Sequence, residues 1–191
     1  MAEGISLSGS KRNYAPMTRR ICITGPEATG KSSLAETLSN ELRCPWVPEY
    51  ARVYLQKLNR PYKEEDLETI LLGQTALEDR IASTPRGNGK MIFCDTGPEV
   101  IWVWSFYKYG RVSPLIDEIA RQRKYDLTLL METDLPWTPD PHRENPSSED
   151  RSELFRLFEK ILVETNQLVA RISGTGSSRI HSANTALQKF L

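Results

Sequence analysis

Residues 21–33 read Ile-Cys-Ile-Thr-Gly-Pro-Glu-Ala-Thr-Gly-Lys-Ser-Ser, and the spacing of Gly25, Gly30, Lys31 and Ser32 within them decides the fold. It is G-x-x-x-x-G-K-[ST], the pattern of a phosphate-binding loop. The two glycines let the chain curl so that backbone N–H groups face phosphate oxygens, which side chains would obstruct. Lys31 brings a mobile charge to the β- and γ-phosphates, and the Ser32 hydroxyl can ligate the accompanying Mg²⁺. The expected nucleotide-binding set is therefore Gly25, Glu27, Ala28, Thr29, Gly30, Lys31, Ser32 and Ser33. The context is right for such a loop. An apolar run (Ile21 to Ile23) suits a buried strand before it, and Leu34, Leu38 and Leu42 predict one apolar face of a helix after it. That helix would turn its positive end toward the same anion.

Working outward, the chain of 191 residues is long enough for one α/β domain with a proper core. Lys plus Arg and Asp plus Glu number 25 each, so no global field favours nucleic acid or an anionic membrane. Cys22, Cys44 and Cys94 lack the paired spacing of zinc sites, and Cys22 and Cys94 fall in strand-like runs where buried thiols are the default. No stretch is apolar enough to span a bilayer and no signal-peptide pattern opens the chain, so a cytoplasmic protein is expected. Residues 1–18, rich in Ser, Gly and basic residues, read as a flexible arm, and residues 19–191 as one domain.

Beyond the loop helix, Trp46-Val47 predicts a short strand and a helix starts near Tyr50. Residues 64–82 carry a helical stripe through Leu67, Ile70, Leu71, Gln74, Leu77 and Ile81. Met91 to Cys94 is a buried strand ending in Asp95, and Pro98 fits the first turn of a helix whose Val100–Tyr107 segment is apolar nearly all round. That helix is either fully covered or part of a subunit contact, which leaves a homo-oligomer open. A helix over Pro114–Lys124 and a strand over Leu127–Met131 follow. Residues 133–150, with four prolines and no periodicity, predict a functional lid loop. A helix capped by Asp150 comes next, then a strand over 168–173 and a C-terminal helix through Leu187. The alternation implies a three-layer fold, a five-stranded parallel sheet covered by helices on both faces, with ligands beyond the carboxyl ends of the strands.

That rule gathers the candidate site. Asp95 stands where a carboxylate can hold the magnesium shell together with Ser32, although it or Thr96 could equally cap the Pro98 helix. Glu49, at the end of the second strand, can take a proton from an acceptor hydroxyl, or else be a solvated glutamate at a helix start. Arg143 can close over the transferring phosphoryl group. Trp137 can stack on a ring or pin its loop to the body.

Taken together, Gly25-Pro-Glu-Ala-Thr-Gly-Lys-Ser-Ser-Leu-Ala, Glu49-Tyr-Ala-Arg, Leu72-Gly-Gln, Asp95-Thr, Tyr125-Asp and Asp134-Leu-Pro-Trp, with Arg143 after them, resemble the ribosylnicotinamide kinase domain of NadR-type proteins. The resemblance covers about residues 20–175. It implies a P-loop kinase fold, ATP with Mg²⁺ as donor, and nicotinamide riboside as acceptor, contacted by Glu49, Tyr50, Arg52, Asp95 and Trp137. Three positions depart from the family pattern. Gly97 replaces a second carboxylate, Asp140-Pro-His-Arg143 replaces Asp-Gly-x-Arg, and Pro48 stands where an aromatic precedes Glu-Tyr. The competing class is an ATP-binding switch without kinase activity. A GTPase is disfavoured, since no N-K-x-D motif occurs.

Overall fold

The computed structural model describes residues 18–87, 89–139 and 147–190. Nearly all of the N-terminal arm, and Arg143, lie outside the described residues. The elements are β1 (Arg19–Thr24), α1 (Lys31–Leu42), β2 (Trp46–Val47), α2 (Tyr50–Lys57), α3 (Glu64–Ala82), β3 (Met91–Asp95), α4 (Pro98–Tyr109), α5 (Pro114–Gln122), β4 (Leu127–Met131), α6 (Ser148–Glu164), β5 (Val169–Ile172) and α7 (Ser177–Phe190). The five strands form one parallel sheet in the order β2-β3-β1-β4-β5. β1 is central, and the chain builds the sheet first to one side of it and then to the other. The crevice at that reversal is where α/β sheets bind ligands, and the 25–32 loop leaves β1 into it.

Side-chain alternation along β1 separates the two layers. Ile21 and Ile23 pack with Leu34 and Leu38 of α1 and Ala183 and Leu187 of α7, while Cys22 faces the opposite layer with Val47 and Tyr125. That opposite layer holds Leu67, Ile70 and Leu71 of α3, Ile101 and Trp102 of α4, Ile116 of α5 and Phe158 and Ile161 of α6. Each fully buried leucine or isoleucine contributes about 1.5–3 kcal/mol. The expected α1 stripe is one turn too long: Leu42 is 44 % exposed, because the chain leaves the helix at Arg43 in a left-handed conformation.

Two other expectations change in detail. The α6 helix is capped by Ser147, whose hydroxyl accepts from the Asp150 N–H at 3.0 Å, so Asp150 lies inside the first turn. The apolar α4 packs within the chain against α3, α5 and α6, with Trp102 Nε1 donating to Asp117 at 2.9 Å, while its Phe106 stays 37 % exposed. Cys22, Cys44 and Cys94 are buried free thiols. Among the described residues no helix is long and apolar enough to cross a membrane.

Candidate active site

The loop after β1 has the backbone that its sequence predicts. Gly25 has φ +134°, and a Cβ there would meet the Met131 carbonyl oxygen at 2.8 Å, so the position takes glycine alone. Ala28 and Gly30 also have positive φ. Thr29 is fully buried, its hydroxyl donating to the Pro26 carbonyl at 2.8 Å. Lys31 Nζ bonds the Gly25 and Pro26 carbonyls at 2.9 and 2.7 Å, folding the ammonium back over the loop at the mouth of α1. An anion at the start of α1 would meet the N–H groups of its first turn with the Lys31 ammonium close by.

Asp95 ends β3 beside β1, and the Thr96 N–H bonds Ile23 O at 3.0 Å. Neither residue caps α4, whose N-cap is Gly97 without a side-chain bond. Asp95 is 1 % exposed. Its pKa is pushed up to about 6, first by burial and then by the Glu49 charge, against the Ser32 hydroxyl bond and the Lys31 and Arg52 charges. Its Oδ1 has no hydrogen-bond partner among the described residues. A buried, unpartnered carboxylate oxygen beside a serine hydroxyl fits a Mg²⁺ shell. Thr96 is a β-branched residue at φ +74°, a strained conformation held next to that carboxylate.

Glu49 is the N-cap residue of α2, yet its side chain makes no capping bond. It lines a cavity of about 610 Å³ together with the phosphate loop, Arg52 and Asp95. The motif pieces around it prove to be its mount. Gln74 of α3 accepts the Tyr50 N–H on Oε1 at 2.8 Å, and a Cβ at Gly73 would lie 2.1 Å from the Tyr50 ring. The close α2–α3 contact therefore requires glycine. Tyr50 is not among the cavity-lining residues; its ring packs on Gly73 and 6.3 Å from Tyr54. Tyr125-Asp126 is likewise architectural: Asp126 accepts the Arg20 N–H at 2.7 Å, joining the starts of β1 and β4.

The rest of the cavity wall was not singled out from sequence. Val100, Val103, Trp104, Tyr107 and Lys108 of α4 and Leu154 and Phe158 of α6 line it, with Leu55 and Trp46. Tyr107 is fixed by donating to Asp150 at 2.9 Å, and Trp104 Nε1 by donating to Tyr62 at 2.7 Å. Pro48 is exposed, and the rings at the cavity are Trp46, Trp104, Tyr107 and Phe158. The only prior signal was the apolar stretch in α4, whose cavity-facing residues sequence could not separate from core. Gly97 has no room for a side chain: a Cβ would stand 2.5 Å from Glu99 Oε2 and 2.8 Å from the Tyr125 hydroxyl. Trp137 stands on the other side of the loop and donates to Glu27 Oε1 at 3.3 Å, so it pins its segment to the phosphate loop. Leu135 approaches Gly30 there.

A parallel sheet with the phosphate loop at its switch point, a carboxylate on the next strand and a deep cavity beside both defines a P-loop kinase fold. The chain belongs to the AAA domain family AAA_28, whose model matches residues 20–179. Among curated proteins it is similar to the trifunctional NAD biosynthesis/regulator protein NadR of Escherichia coli (strain K12), 29 % identical over 162 residues. The Salmonella typhimurium (strain LT2) protein of the same name is 29 % identical over 154 residues. The matches take 81 % and 78 % of this chain but span only 38 % and 36 % of those proteins. Among solved structures, a NadR protein in complex with NAD and AMP-PNP superposes with a TM-score of 0.75 at 24 % identity, over 91 % of this chain and 50 % of that one. Thymidylate kinase from Ehrlichia chaffeensis gives 0.64 at 16 % identity, over 91 % and 98 %. These structural likenesses establish the fold.

Proposed function

We propose that this chain transfers the γ-phosphoryl group of ATP to the 5′-hydroxyl of a riboside, nicotinamide riboside first among them, a reaction of NAD biosynthesis. The observation that carries the reading is the pairing of Glu49 with the phosphate loop across one cavity walled by aromatic rings. A bare nucleotide binder has no use for a second, ring-lined compartment with a carboxylate at its junction. The 24 %-identical NadR structure holds AMP-PNP, and a second NadR structure, 22 % identical with a TM-score of 0.76, is a complex with NR.

In this mechanism the loop from Gly25 to Ser33 cradles the phosphates, and Lys31 exchanges its own loop carbonyls for β- and γ-phosphate oxygens. Ser32 and Asp95 are the residues that would hold Mg²⁺, which supplies charge neutralisation across those oxygens when bound. Glu49 accepts the hydroxyl proton as the new P–O bond forms, and its charge is held near the hydroxyl by the α2–α3 mount. Arg52 lines the same cavity, and its charge favours the ionised form of Asp95. Trp104 and Tyr107 enclose the ring of the acceptor. Arg143 adds a charge for the transition state in this proposal.

The test is ADP release by the full chain with ATP and Mg²⁺, with and without each of a panel of ribosides. Release that depends on nicotinamide riboside, and disappears in Lys31→Ala, supports the kinase. Equal slow hydrolysis with and without every acceptor overturns it in favour of an ATP-binding switch.

A further inference from the structure

Arg179 belongs to none of the motifs above, yet it is a charge buried to 4 % exposure. It rises from the first turn of α7 and reaches three loops at once. Nη1 donates to the Thr29 carbonyl at 2.6 Å, Nε donates to the Gly174 carbonyl at 2.7 Å, and Nη2 pairs with Asp134. Asp134 in turn accepts the Gly174 N–H on Oδ2 at 2.6 Å. The loops beyond β1, β4 and β5 are thus tied at one guanidinium. Burial pulls the Arg179 pKa down and the Glu132 charge opposes it, so a guanidinium buried here needs every one of its donors bonded.

The Thr29 contact bears on nucleotide binding. The peptide between Thr29 and Gly30 is planar and trans, so its C=O and N–H point in opposite directions. Holding the Thr29 carbonyl toward α7 turns the Gly30 N–H away from α7, and so fixes the direction of one of the loop's N–H donors. Gly30 has φ +79° and Ala28 has φ +57°, so this stretch of loop is conformationally demanding and gains from an external tie. A lysine could not replace the fork, because one ammonium cannot serve three acceptors that diverge as these do.

We propose that Arg179 is a positioning residue for the donor nucleotide: it sets the phosphate loop from outside, through the Thr29 carbonyl, and makes triphosphate affinity depend on the C-terminal helix. This rests on the reading of residues 25–33 as a nucleotide site, and not on the identity of the acceptor. The experiment is calorimetric titration of the full chain with AMP-PNP and Mg²⁺, without turnover. A chain that binds AMP-PNP but phosphorylates no riboside refutes the kinase and leaves this inference standing.

For Arg179→Ala we expect AMP-PNP affinity to fall by about tenfold or more, from the loss of charge-assisted bonds. Free guanidinium ion at millimolar concentration should restore part of it, which a loss of global packing would not allow. Should Arg179→Ala fail to fold, Arg179→Lys keeps the stem and charge and is expected to lose about tenfold in affinity while melting near the wild-type temperature. Wild-type AMP-PNP affinity in either folded variant overturns the proposal. So does a loss in Arg179→Ala that guanidinium leaves untouched and that follows only the fraction of folded protein.

Discussion

Asp95 is the residue at which fold and chemistry conflict most. Burial and the Glu49 charge raise its pKa from 3.8 to about 6. In the ligand-free chain the fold therefore binds a proton more tightly than the unfolded state does. The stability this gives is complete below the ordinary carboxylate pKa and is lost as pH rises through about 6. Asp95→Asn removes that loss. Its ligand-free form should be more stable than wild type by on the order of 2–3 kcal/mol above pH 7, the gap closing as pH falls toward 4. Thermal unfolding at several pH values checks this, and a gap independent of pH would contradict it. The same variant should lose phosphoryl transfer, since it removes the charged oxygen that Ser32 faces. Glu49 behaves differently. Glu49→Gln keeps its shape and removes basicity, so AMP-PNP affinity should stay nearly unchanged while acceptor-dependent rate falls by roughly 10²–10⁴. If nucleotide binding weakens and transfer survives, the proton acceptor is Asp95. Sequence located both carboxylates because each follows a strand, but not the Thr96 strain beside Asp95. A φ of +74° at a β-branched residue is imposed by tertiary packing and leaves no local signature.

At the scale of elements, the α2–α3 contact shows what a short motif can mean physically. From sequence, Leu72-Gly-Gln was only a piece of a family pattern inside a helical stripe. In the fold Gly73 admits the Tyr50 ring and Gln74 holds the Tyr50 N–H, so α3 sets the helix start that carries Glu49. Gly73→Ala gives α3 better intrinsic helix propensity but forces a Cβ to 2.1 Å from the ring. We expect a net destabilisation of about 1–3 kcal/mol, as for other overpacked sites. Acceptor-dependent rate should fall, and AMP-PNP affinity should remain. Gly73→Ala combined with Tyr50→Leu should recover much of both losses, a double-mutant cycle readable by melting and by turnover. Independent, additive losses would show that the contact does not mount Glu49. The helices themselves were legible because their apolar stripes repeat at three and four residues. Their ends were less so: Leu42 continues the α1 stripe in sequence but is exposed at the last residue of the helix, and the serine that caps α6 stands three residues before Asp150. The cavity face of α4 was illegible, since Trp104 and Tyr107 belong to a segment as apolar as a core helix.

For the whole molecule, the proposed reaction divides the site at the phosphate loop into a donor side and an acceptor side. The donor side is built by the loops beyond β1, β4 and β5, with Trp137 against Glu27 and Arg179 behind Thr29. The acceptor side is built by β2, α2, α4 and α6 around the cavity. Among the described residues the loop and Asp95 stand between the two sides, so in this proposal the two ligands should stabilise the native chain through separable contacts. A ligand at about 100 times its dissociation constant adds about 2.7 kcal/mol, which for a chain of this size corresponds to a rise of roughly 5–10 °C in melting temperature. AMP-PNP with Mg²⁺ should produce such a rise in wild type and almost none in Lys31→Ala, because Lys31 reaches only the donor. Nicotinamide riboside should raise the melting temperature of both proteins alike, because that ammonium is held on the loop by the Gly25 and Pro26 carbonyls. A Trp104→Ala chain should show the reverse pattern, keeping the AMP-PNP shift and losing the riboside shift. If Lys31→Ala abolished both shifts, or Trp104→Ala spared both, the cavity would not be a second compartment, and the division of the sheet into donor and acceptor sides would fail.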